Sequence, residues 1–131
     1  MKLTEPEWLI MNLLWEKYPA NARGIFERLP RGISWAYTTV KTTLDRLVEK
    51  KAVRKKKDGH IGYYEPLLTR KQARSTAIKM LLNHAFDGAF GPMMHFLAED
   101  ENLSSKHRKE LIKILSEKDK SKGEKNGRTN Q

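Results

Sequence analysis

The sequence predicts a mainly α-helical chain with a small β wing: a winged helix-turn-helix domain followed by a helical dimerisation arm. Three observations predict it. First, Tyr37, Val40, Leu44, Leu47 and Val48 recur at the spacing of one helical face, so one helix over about Ala36 to Lys51 has a narrow apolar stripe. Second, the opposite face carries Thr38, Thr39, Thr42 and Arg46, with Glu49 beside them, Lys41 and Lys50 on the same helix and Trp35 just upstream. Threonine can touch base edges or the thymine methyl, and arginine can bond two acceptors of guanine. Third, Arg54, Lys55, Lys56 and Lys57 run into Asp58-Gly59, which reads as a cationic hairpin. A reading helix followed by a phosphate-gripping ribbon is the winged arrangement.

Composition bounds the function. At 131 residues, the chain is one domain or one small domain with an extension. No apolar run approaches the roughly 18 residues of a membrane span. Lys2 is followed at once by Glu5, Pro6 and Glu7, which is wrong for a secretory signal. The absence of cysteine fits a reducing compartment, and a cytoplasmic location is expected. A formal net charge of +10 implies a polyanionic partner, nucleic acid first and an anionic membrane surface second. Between Tyr37 and His60, eight cations stand against three acids, so half of the net charge sits on the expected reading helix and wing.

The remaining elements follow in order. Thr4 and Glu7 form a capping box for the first helix, Leu3 and Trp8 its hydrophobic staple, and Pro6 fits its first turn. Trp8, Met11 and Trp15, with Leu14, give its buried stripe, and it ends near Lys17. Asn21 caps a second helix with Ala22, Ile25, Phe26 and Leu29 inward, stopped by Pro30 and Gly32. Ile33 is expected to add a short strand beside the wing, and Ser34 to lie near the cap of the third helix. The wing strands run Ala52 to Lys57 and Gly62 to Pro66, joined by more than two residues because His60 and Ile61 intervene. Tyr63 and Tyr64 point to opposite faces, one of them into the core.

Thr69 and Gln72 form a second capping box for a long helix to about Phe86, with Ala73, Ala77, Met80, Leu81 and His84 on one side. A short apolar helix, Met93 to Ala98, follows Gly91-Pro92. Glu99, Asp100, Glu101 and Asn102 make an acidic break, and Ser104 or Ser105 caps a last helix. The domains expected are therefore a winged-helix domain over 1–68, a dimerisation arm over 69–118 and an unstructured polar tail over 119–131. The arm carries more apolar groups than thin helices can hide: Phe86, Phe90, Met93, Phe96 and Leu97, then Leu111, Ile114 and Leu115, beside Met80 and Leu81. A second copy supplies the missing cover, and a two-fold pair of reading helices demands an inverted-repeat duplex.

Leu3 to Trp8, Leu13-Leu14-Trp15, Ala36 to Leu47 and Gly62-Tyr63-Tyr64 resemble the penicillinase-repressor family (BlaI/MecI/CopY). The resemblance spans about residues 3 to 116 and is most specific over Tyr37 to Leu47. It implies a homodimeric winged-helix repressor of resistance or stress genes acting on palindromic operators. It also implies, for antibiotic-responsive members, that a membrane-bound sensor protease leads to cleavage before a phenylalanine. The matching bond here is His95-Phe96, although the family pattern has Asn at the position of His95. Lack of cysteine argues against the copper-responsive branch.

Plainer readings stand beside these. Trp35 either plugs the gap between helices or stacks on a sugar-phosphate. The wing cations could guard an edge strand, which accounts for one or two better than for four. His60, His84, His95 and His107 show no i, i+4 pair, and the acids near Glu99 read as a solvated turn, so no metal or other cofactor is expected. No nucleophile elbow, phosphate loop or paired carboxylates point to an enzyme. The competing function is a winged-helix protein-interaction module that leaves DNA alone.

Overall fold

A computed structural model describes residues 1–99 and 102–129, the last eight by backbone alone. The described elements run α1 (Glu5–Glu16), β1 (Ala20–Asn21), α2 (Ala22–Glu27), α3 (Tyr37–Glu49), β2 (Val53–Asp58), β3 (Ile61–Pro66), α4 (Arg70–Phe86), α5 (Phe90–Ala98) and α6 (Ser105–Thr129). The chain divides into two compact units, Met1–Met80 and Leu81–Gln131.

In the first unit, α1 begins with the expected reciprocal cap. The Glu7 N–H donates to Thr4 Oγ1 at 3.4 Å, and the Thr4 N–H donates to Glu7 Oε1 at 2.8 Å. The core is built from Ile10, Met11 and Leu14 of α1, Ile25 of α2, Val40, Leu44 and Leu47 of α3, Val53 of β2 and Tyr64 of β3, all buried. Trp8 and Trp15, expected at the centre of the α1 stripe, are instead half-buried at its margin, edge to face at 6.0 Å. Ile10, absent from the expected stripe, takes the centre. An indole is polar at one end, and Trp15 Nε1 uses that end to donate to the Leu68 carbonyl at 2.9 Å. Phe26, also expected in the core, packs half-buried on Tyr37 at 5.8 Å.

The sheet corrects two expectations. Its third strand is β1, not a strand at Ile33: Ala20 pairs with Tyr64 and Asn21 with Tyr63, giving the order β1-β3-β2. Ile33 is exposed in the turn after α2. Asn21 therefore serves twice, as a strand residue and as the α2 cap whose Oδ1 accepts from the Gly24 N–H at 2.7 Å. The wing loop is also tighter than expected. Asp58 pairs with Ile61, so only Gly59 and His60 connect the strands, and Gly59 takes the positive φ (65°) that such a turn needs. Counting from the glycines put Ile61 in the loop; the pairing keeps it in the ladder. Tyr64 enters the core and Tyr63 stays half-buried, as strand alternation requires.

Helix α3 starts after Ala36 with no side-chain cap, so Ser34 does not serve there. It ends in a left-handed turn at Lys51 (φ 64°), where the Ala52 N–H bonds the Leu47 carbonyl and the Lys51 N–H that of Val48. The Ala52 carbonyl then receives the N–H groups of Leu67 and Leu68, tying the helix end to the close of the wing.

Helix α4 opens with its expected box, Thr69 and Gln72 capping one another at 2.9 and 3.1 Å. Ala73 lies in the first core, and the Arg70 guanidinium sits 5.4 Å from the Trp15 ring centre. The expected single apolar face of α4 is not kept. Leu82 is buried, while Leu81 and Ile78 are half exposed. In the second unit, Phe86 and Phe96 meet at 5.8 Å, and Ser104 Oγ accepts from the His107 N–H to cap α6. The stretch expected to lack structure from residue 119 onward continues α6 to Thr129. Glu117, Lys118, Asp119 and Lys120 include good helix formers, and a helix already nucleated extends at little cost. Asp100 and Glu101 of the expected acidic break lie outside the described residues, as do residues 130 and 131 of the tail.

Candidate nucleic-acid interface

Helix α3 turns Val40, Leu44 and Leu47 inward and leaves Thr38, Thr39, Thr42, Arg46 and Lys41 exposed. Thr43, on the flank, is buried, and its hydroxyl donates to the Thr39 carbonyl at 2.8 Å, so it is spent inside the helix. Thr38, Thr39, Thr42 and Arg46 border a shallow cleft with Pro6 of α1. The predicted reading face is therefore one continuous hydroxyl surface with a guanidinium at its end. Trp35 is half-buried and packs against the core, which favours the plug.

Not every predicted cation is free. Lys50, placed by the sequence on the reading face, points back to α1: its Nζ lies 2.5 Å from Glu7 Oε1 and donates to the Lys2 carbonyl at 3.0 Å. The sequence did not foresee this ion pair with the first helix. Burial pushes the Glu7 carboxyl up, but the Lys50 ammonium and the Thr4 N–H and hydroxyl outweigh it and hold the group below 4.5.

The wing is two-sided. Strand alternation places Arg54 and Lys56 on one face with Glu65, opposite Arg54. Arg54 Nε donates to Glu65 Oε1 at 2.7 Å, and Lys56 Nζ lies 3.5 Å from the same oxygen. The guanidinium, ahead of Lys56, holds the Glu65 carboxyl below its ordinary value. Lys55 and Lys57 occupy the other face, toward α2 and α3, with the Lys55 ammonium 5.7 Å from the Tyr64 ring centre. The sequence shows four wing cations in a row; only the register reveals that they divide in pairs.

The described residues form no helix long and apolar enough to cross a membrane. In the second unit, Leu81, Phe90, Phe96, Leu97, Leu111, Ile114 and Leu115 are each at least 40% exposed, while Met80 of the first unit and Phe86 and Met93 are half-buried. His95 is exposed beside Phe96 on α5. The Phe96 carbonyl accepts from the Glu99 N–H at 3.3 Å and from Asn102 Nδ2 at 2.7 Å.

A three-helix unit with a β wing, a hydroxyl-and-arginine helix face and an excess of positive charge defines a winged-helix DNA-binding regulator. The family model for penicillinase repressors matches residues 3–117, and the chain belongs to that family. Its members are transcriptional repressors, not enzymes. Relatives include the methicillin resistance regulatory protein MecI of Staphylococcus aureus, 30% identical over 117 residues, 89% of this chain and 95% of that one. The penicillinase repressor of Bacillus licheniformis is 25% identical over 88% of this chain and 91% of its own. Among solved structures, the DNA-binding domain of the repressor BlaI is similar over 55% of this chain and 93% of that one, at 25% identity and a TM-score of 0.49.

Proposed function

We propose that the chain is a homodimeric repressor that binds inverted-repeat operators in double-stranded DNA and controls resistance or stress genes. The observation that carries this is the exposed Thr38, Thr39, Thr42 and Arg46 face of α3 beside a wing whose Lys55 and Lys57 pair with no acid among the described residues. Arg46 and the threonines read base edges, while Lys41 with Lys55 and Lys57 of the wing hold phosphates and fix the register. Membership of a repressor family, and the link of relatives by name to methicillin resistance and penicillinase, support the reading. The exposed apolar groups of the second unit support a second copy as their cover.

The test is a binding titration against salt. A dimer that neutralises about 6–10 phosphates loses roughly 10³–10⁵-fold in affinity between about 50 and 200 mM salt. Arg46→Ala should cost about 1–3 kcal/mol and relax sequence choice, whereas Lys57→Ala should weaken all sequences alike. Identical behaviour of the two variants would refute the division of roles. No shift of random-sequence duplex at low salt would refute DNA binding and leave a protein-interaction module.

The proposal extends to release by proteolysis at His95-Phe96 after a membrane sensor protease is engaged. Exposure of both residues on α5 supports it, as does the family resemblance. Cutting there separates α6 from the rest of the chain and lowers operator affinity by removing avidity. Intact chain persisting in induced cells while target genes are transcribed would contradict it.

A further inference from the structure

We propose that the groove between the wing and helices α2 and α3 seats one sugar-phosphate strand, and that Arg23, which no motif singled out, is its anchor. The inference rests on the duplex-binding reading above. The groove encloses about 440 Å³, and Arg23, Lys41, Lys55, Lys57 and His60 line it without any carboxylate. The four cations come from α2, α3 and β2, with His60 of the wing turn beside them, so the chain gathers like charge from three elements into one concavity. Such gathering raises the energy of the free protein and is relieved by a polyanion.

Arg23 is held ready for this. Its guanidinium carbon lies 4.7 Å from the Tyr37 ring centre and 5.8 Å from that of Phe26, two rings that brace one another edge to face. The stack fixes the side chain yet leaves its charge unneutralised, since no acid pairs with Arg23 among the described residues. A planar guanidinium so held loses little freedom when it bonds a phosphate. Lys55 is placed by a different device. A side chain at Gly62 would start 2.6 Å from Lys55 Cε, so the bare glycine lets the lysine lie across its partner strand toward the groove. Across the ribbon Arg54 and Lys56 share the single carboxylate of Glu65, on the strand face turned away from the groove.

The slope of log affinity against log salt separates these faces. Each cation that meets a phosphate contributes about 0.9 to it. In the whole 131-residue chain with a random-sequence duplex, Arg23→Gln and Lys57→Gln should each lower the slope by about that amount per protomer, and Arg54→Gln with Lys56→Gln should leave it nearly unchanged. Arg23→Lys keeps the charge and should restore most of the slope, which a packing defect would not allow. For Lys57→Gln the free protein should melt no lower at low salt. An unchanged slope in Arg23→Gln and Lys57→Gln, or an equal loss in the Arg54 and Lys56 pair, would overturn the groove assignment while DNA binding stood. A wild-type chain that binds no duplex would overturn both.

Discussion

Glu7 shows how much one residue can hold. Its side chain caps α1 and also meets Lys50 at the end of α3, so a single buried carboxylate fastens α3 to α1. Its other oxygen, Oε2, has no hydrogen-bond partner among the described residues, which makes the site dependent on the ammonium. Lys50→Met strands a buried charge and should cost near the low end of about 3–5 kcal/mol, because Lys50 is still a third exposed to water. The folded group titrates below 4.5, so its contribution is fully present above the unfolded value and is lost as pH falls through the folded one. Urea midpoints of wild type and Glu7→Gln should therefore differ at pH 7 and converge below 4.5; a gap unchanged at about pH 3 would exclude this origin. The capping half of this role was legible in Thr4 and Glu7, three residues apart. The ion pair was not, because 43 residues separate its partners and no local period encodes them.

At the scale of elements, helix periodicity and caps carried the reading, and strand pairing exceeded it. The stripe of Val40, Leu44 and Leu47 gave α3 its inward face directly. The two-residue strand at Ala20 and Asn21 is too short to show alternation, and its place beside β3 depends on tertiary packing. Register also decides that Arg54 and Lys56 share Glu65 while Lys55 and Lys57 do not, which no cation count discloses. The end of α3 offers a test. Lys51 holds a left-handed conformation that glycine adopts without the clash of a Cβ. Lys51→Gly should stabilise the domain by about 0.5–1 kcal/mol, a rise of several degrees in melting temperature. A fall in melting temperature would show that Lys51 makes a compensating contact and that the turn is not the limiting strain.

Across the whole molecule, charge and apolar surface are divided between the two units. Met1–Met80 holds seventeen cations against eight acids, a net +9 of the chain's +10. The second unit is nearly neutral and instead exposes large apolar groups, Phe90 at 57%, Ile112 at 64% and Leu115 at 53% among them. A nearly neutral surface of this kind does not repel its own copy, whereas the first unit does, so the proposed self-association falls to the second unit. Leu115→Asp, with Ile112→Asp as an independent variant, should shift the sedimenting species from dimer to monomer at micromolar concentration. Neither side chain is buried in the single chain, so the stability of the winged-helix unit should stay within about 0.5 kcal/mol of wild type. Affinity for a single half-site should hold, while affinity for the inverted repeat should fall by something like 10²-fold or more, since the second contact loses its effective concentration. Equal losses on half-site and full site would mean that the arm supports the reading unit directly and does not pair two of them. A wild type that sediments as a monomer with its operator affinity intact would remove the need for the arm altogether.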